Sequence, residues 1–211
     1  MNRFTGVFLV LTIQLSLGQS AKKLTIKGDY TLSDSVQMVS SYLLAKEAVE
    51  KMNMAMQAVW SVENEPGKSK RELRKEQWDA SFSEWLGKPK RMGVVNRTIN
   101  RIHSKFDKEV ILEVTKENKG KCRGWISAWT IPFGKVRIRL CEDFFVYRTH
   151  LQEKVLVHEM GHEAGLLFHR RIHGCRAARR AAASNNGAAR RSTENYAWLA
   201  MSYVGLNCSG R

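Results

Sequence analysis

Between about Ser33 and Val62, apolar residues recur at Val36, Val39, Leu43, Leu44, Met52, Met56 and Val59, the three-and-four spacing that lines one face of a helix. The pattern predicts one long amphipathic helix or two shorter ones, with Met52, Met54 and Met56 as core and gap-filling side chains. Glu65-Pro66-Gly67 ends it. Ser69-Lys70-Arg71-Glu72 has the form of a capping box and opens a second predicted helix, which carries Leu73, Trp78, Phe82, Trp85 and Leu86 and stops at Gly87-Lys88-Pro89. A third helical stretch runs from about Val94 to Phe106, and a short extended segment lies earlier, near Leu24 to Tyr30.

At Glu109 the pattern changes from helical to strand-like. Val110-Ile111-Leu112-Glu113-Val114, Trp125-Ile126-Ser127-Ala128-Trp129 and Val136-Arg137-Ile138-Arg139-Leu140 are strand-like, and Pro132-Phe133-Gly134 turns the chain between the last two. A helix is expected from about His150 to Gly165, then a loop rich in His and Arg. Two more helices are expected near Cys175–Ala183 and Thr193–Val204, separated by Asn185-Asn186-Gly187. The expectation is an α+β chain, mainly helical, with a small antiparallel sheet beside the helix that starts near His150.

The first twenty residues pair a basic Arg3 with the apolar run Val7 to Ile13 and end in small residues at Gly18 and Ser20, the pattern of a secretory signal peptide. The apolar run is too short to span a bilayer, and no other stretch is a transmembrane candidate. The expected organisation is residues 1–20 as signal peptide, 21–108 as an N-terminal helical region and 109–211 as the region that carries the sheet and the helix near His150. The helices of 21–108 are expected to pack into one domain with it, in a secreted, monomeric protein. Cys122, Cys141, Cys175 and Cys208 form an even set in a chain bound for an oxidising compartment, so two disulfides are expected. Of the three possible pairings, proximity favours Cys122 with Cys141 and Cys175 with Cys208.

The formal net charge is +15, with arginines concentrated at Arg170, Arg171, Arg176, Arg179, Arg180, Arg190 and Arg191. They read first as a solvated face and second as a weak polyanion-binding surface. Asn96-Arg97-Thr98 and Asn207-Cys208-Ser209 have the form of glycosylation sequons.

The chemistry lies in His158-Glu159-Met160-Gly161-His162. Two histidines four residues apart on a helix share a face, so both imidazoles can reach one metal ion, and Glu159 sits where a general base for a metal-bound water belongs. The reading is one Zn2+ per chain, hydrolysing a protein or peptide substrate. Glu163, directly after the second histidine, reads as an acceptor for a ligand imidazole. His103 and His150 fall outside the site.

Several features converge on a family. The Cys-bounded hairpin ending in Leu140-Cys141-Glu142-Asp143-Phe144-Phe145, the pentad, Gly174 and the segment Ser192-Thr193-Glu194-Asn195-Tyr196-Ala197 resemble the aspzincins, the deuterolysin and peptidyl-Lys metalloendopeptidase group. The resemblance implies a secreted zinc endopeptidase of mainly helical α+β, zincin-like fold that favours Lys or Arg after the scissile bond. It also implies Glu194 as the acid of that substrate pocket, and His173 or Tyr196 as donor to the reaction's oxyanion. The family's third zinc ligand is an aspartate in Gly-Thr-x-Asp-x-x-Tyr-Gly. The corresponding stretch here, Leu166 to Gly174, contains no aspartate, and its ligand position falls on Arg170, beside His169. His169 is therefore the expected third ligand, with His173 and Glu194 as alternatives. The metzincin pattern fails because its third histidine position is Phe168. Two other readings stand beside the peptidase: an inactive binding protein on a zincin scaffold, and a basic host-interaction or antimicrobial protein with structural zinc. An intact Glu159 argues against both.

Overall fold

The computed structural model describes residues 11–15, 22–115, 120–122, 126–131, 134–146, 151–166, 172–184 and 186–206. Its sheet is built from β1 (Leu11–Leu15), β2 (Lys22–Gly28), β3 (Val110–Thr115), β4 (Ala128–Thr130) and β5 (Val136–Cys141), in the order β1-β2-β3-β5-β4. The pairs β2–β3 and β3–β5 are parallel, and only the two edge pairs are antiparallel. The expected antiparallel sheet is thus a mixed one. The reason is the extended segment near Leu24, which joins the sheet as a neighbour of β3. It reaches that position through a crossover that includes every helix up to Phe106, and a crossover of this kind makes parallel pairing possible.

Register explains why one face of the sheet is dry. Leu24 pairs with Val110 and Val110 with Val136, while Ile26, Leu112 and Ile138 form the next row. Because side chains alternate along a strand, these rows all meet the helical core. The other face carries Glu113, Arg137 and Arg139, with Arg139 Nε 2.9 Å from Glu113 Oε2. The edge strand β1 comes from the segment read as a signal peptide.

The first helix, α1 (Leu32–Trp60), is one continuous element, opened by a reciprocal capping box between Thr31 and Asp34. Val36, Leu44 and Met54 point outward, while Met52 and Met56 enter the core as expected. The expected second helix is two, α2 (Lys70–Glu76) and α3 (Ala80–Leu86). Asp79 breaks it by capping the second piece, its carboxylate accepting from Phe82 N–H at 2.8 Å. Next comes α4 (Met92–Phe106), on which Asn96 is buried and bonded to Gln57 and Asn100, a setting with no room for a glycan. Asn207 lies outside the described residues.

The remaining helices are α5 (Glu142–Val146), α6 (Leu151–Glu163), α7 (Cys175–Ser184), α8 (Asn186–Ala189) and α9 (Thr193–Ser202). The short α5 and α8 were not anticipated. Helix α1 packs on α4, α6 and α9, so residues before and after Glu109 share one core. Cys122 and Cys141 are bonded, closing a sequence separation of 19, which in the chain-entropy view stabilises by about 3 kcal/mol. Cys175 is also disulfide-bonded, and Cys208, its expected partner, lies outside the described residues.

Candidate metal centre

Lys154, His158 and His162 follow one another at intervals of four along α6 and form a stripe on one helix face. Opposite them α9 presents Glu194 and Trp198, again four apart. The two helices come close because position 161 is glycine. A Cβ there would lie 2.9 Å from Thr193 Cγ2, so any side chain would push α9 and its carboxylate away from the histidines.

The ring orientations follow from what lies behind each imidazole. His162 Nδ1 is 2.7 Å from the carbonyl of Leu166, which can only accept, so the proton resides on Nδ1. His158 Nδ1 is 3.0 Å from Glu194 Oε2 and donates to it in the same way. In the neutral rings both Nε2 atoms then carry the ring lone pair, and they stand 3.2 Å apart, with the Thr193 hydroxyl also 3.2 Å from that of His158. Two lone pairs facing each other repel unless a cation lies between them. Two imidazole nitrogens on a common tetrahedral zinc, at about 2.0–2.1 Å each, are roughly 3.3 Å apart, so the observed separation fits the ion. Among the described residues His158, Glu159 and His162 form the one cluster of potential ligand atoms, all within 4.8 Å of one another.

Glu159 is 7 % exposed. Burial pushes its carboxyl up to about 7; Lys154 and a hydrogen bond from the Thr130 backbone pull the other way, and Glu163 adds to the rise. Such a carboxylate is poised to take and return a proton near neutrality. Thr130 comes from the edge strand β4, which runs beside α6.

Glu194 is 1 % exposed, and both of its oxygens are engaged. Oε2 meets His158 Nδ1 and Lys154 Nζ, each at 3.0 Å. Oε1 accepts from Trp198 Nε1 at 3.0 Å and from Gly174 N–H at 2.9 Å. His158 and Lys154 hold its carboxyl well below the usual carboxylate range despite burial, with the His158 hydrogen bond the strongest of these effects. Its carboxylate lies behind the His158 ring, on the side away from the facing Nε2 atoms. The Gly174 contact also anchors the end of the loop that carries His169 and His173.

The other expected site residues fall as follows. His173 is exposed, while His169 lies outside the described residues. Tyr196 is fully buried and its hydroxyl donates to the carbonyl of Arg190 at 3.2 Å, which makes it a core residue. Glu163 bonds the Thr130 hydroxyl, and its other oxygen is 3.8 Å from Lys105 Nζ; among the described hydrogen bonds and ion pairs it meets no imidazole. His103 sits beside Asp107 on α4, and His150 lies outside the described residues.

Sequence reasoning missed Lys154, Trp198, Thr193 and Thr130. The first two are legible in retrospect as the four-residue partners of His158 and Glu194. Thr193, whose hydroxyl is 3.2 Å from His158 Nε2, and Thr130 carry no such signal.

No family model matches the sequence, and no curated protein matches it. Solved structures do. The fold resembles that of a zinc peptidase from Grifola frondosa, with a TM-score of 0.57 and 16 % sequence identity, over 79 % of this chain and 94 % of that one. What the two share is the fold.

Proposed function

We propose that this chain is a zinc-dependent endopeptidase, with one Zn2+ per chain held by His158, His162 and a third group from the Leu166–Gly174 loop, where His169 is the candidate. The observation that carries the reading is the pair of Nε2 lone pairs turned toward each other by Leu166 and Glu194. A zinc peptidase as structural neighbour supports it.

When bound, zinc would polarise the scissile carbonyl and bring the pKa of its water toward about 7. Glu159 would accept a proton from the attacking water on its carboxylate and deliver it to the leaving amine nitrogen. The Thr130 N–H and the apolar surroundings hold the carboxylate for this exchange. Glu194 keeps His158 in the tautomer that offers Nε2, and Lys154 and Trp198 keep Glu194 in place. His173, next to the anchored Gly174, is the donor we assign to the oxyanion. Export through the segment 1–20 and a monomeric state complete the reading. No helix among the described residues is long and apolar enough to cross a membrane.

The expected preference for Lys or Arg after the scissile bond has Glu194 as its carrier. A basic substrate side chain would have to displace Lys154 from that carboxylate to use it, so sequencing of cleavage products from Glu194→Gln against wild type tests the point.

Metal analysis and peptide cleavage test the whole. The purified protein should contain about one zinc, lost in His158→Ala, and should cut a denatured protein mixture. Zinc bound without cleavage would favour the inactive-scaffold reading, and a folded chain that binds no zinc would end both.

A further inference from the structure

The positive charge of this chain is unevenly spread over the fold. The loop after α3, the first turn of α4, the end of α7 and the turn before α9 enclose a cleft of about 760 Å³, lined by the cations Lys88, Lys90, Arg91, Arg190 and Arg191. No carboxylate is among its described lining residues.

Three observations separate this cleft from an ordinary solvated basic face. Arg190 is 6 % exposed, with Nε at the limit of hydrogen bonding to the Leu86 carbonyl, 3.5 Å away, and no carboxylate paired with it among the described ion pairs. A guanidinium withdrawn from water beside the like-charged Arg91 is held at a cost that an anion would offset. Arg91 is itself the one described non-glycine residue with positive φ, at 52°. Finally, Arg91 caps α4 without a side-chain hydrogen bond, so although the Val94 N–H bonds the Arg91 carbonyl, the start of a fifteen-residue helix adds partial positive charge at the same wall.

We propose that this cleft binds a sulfated glycan chain. Arginine forks match sulfate oxygens in pairs, and the lysines add point charges along the path. The described lining contains no aromatic ring, so there is no face on which the bases of a single-stranded nucleic acid would stack. A concave site of this volume takes a single chain of a few sugar units rather than a duplex. The site lies on elements other than the α6–α9 pair and does not depend on the zinc reading.

The test is the binding of a labelled heparin-derived hexasaccharide to the full chain, followed by fluorescence anisotropy across a range of salt. Lys90→Gln with Arg91→Gly removes two cleft charges, and glycine accepts the left-handed backbone at 91, so the variant should fold, as thermal unfolding will verify. We expect it to lose roughly tenfold or more in affinity, and the slope of log K against log salt to fall by about two. Arg71→Gln with Lys75→Gln on α2 removes equal charge elsewhere and should stay within about twofold of wild type. Equal losses in the two double variants would reduce the effect to net charge and overturn the site. Tighter binding of a single-stranded oligonucleotide of matched charge would overturn the glycan assignment. No hexasaccharide binding at physiological salt would overturn both.

Discussion

The α1–α4 and α6–α9 helix pairs are both buried, yet they bury opposite kinds of side chain. The α1–α4 pair buries mainly apolar side chains, Met52, Met56, Val59, Val95, Ile99 and Ile102 among them, with neutral polar contacts from Gln57 to Asn96 and from the Tyr42 hydroxyl to the Phe106 carbonyl. Between α6 and α9 the chain withdraws Glu159, Glu194 and most of two imidazoles and a lysine from water. Apolar burial stabilises by area alone and tolerates small shifts. Buried charge is tolerable only where each group meets a partner, so the second interface is geometrically exacting and adds little net stability. The difference marks which pair holds the protein together and which carries the proposed chemistry.

The sharpest way to break the comparison is Glu159→Gln. Cleavage should fall by about 10²–10⁴-fold, since the amide cannot accept the water proton, while zinc content is kept. Thermal unfolding should move upward or not at all, because a carboxyl that burial disfavours has been replaced by a neutral group of the same shape. A large drop in unfolding temperature would show that α6 is held by this carboxylate after all.

Met52→Ala is the counterpart on the apolar side. It should cost about 2–5 kcal/mol in denaturant unfolding, with zinc affinity of the folded fraction unchanged. A parallel loss of zinc affinity would mean that the two interfaces are coupled.

Glu194→Gln sharpens the account of the polar side. The amide still reaches His158 but no longer fixes its tautomer or neutralises Lys154, so zinc affinity should fall about 10–100-fold in competition with a chelating dye. Unchanged affinity would remove Glu194 from the positioning of His158.

Gly161→Ala is the smallest change in atoms and in expected effect. Its methyl would meet Thr193 at 2.9 Å, and overpacking of this kind costs about 1–3 kcal/mol. The loss should appear in both stability and zinc affinity, since the same displacement moves Glu194. A loss confined to stability would show that α9 yields without disturbing the ligands.

The sequence by itself determined the local parts. The three-and-four spacing gave α1, and local helix and turn signals gave α4, α6 and α9 to within a few residues, because a helix is written in near neighbours. The apolar run at 110–114 and the alternation at 136–140 gave β3 and β5, and the i, i+4 histidines gave two imidazoles on one helix face, since helix geometry alone puts them there. Proximity gave the Cys122–Cys141 bond. The break at Asp79 was written in a capping residue and was masked by the apolar spacing that runs through it. Only the tertiary structure decided the rest. That Leu24 pairs with Val110, making the sheet mixed, depends on contacts across more than eighty residues of intervening chain, which no local period encodes. That Glu194 stands behind His158, with Gly174 at its other oxygen, depends on how closely α9 approaches Gly161. That Tyr196 serves the core follows from the burial of α9 on all sides from Thr193 to Met201. A sequence names the groups able to do chemistry; packing fixes which atom of each group faces which, and the reaction depends on that.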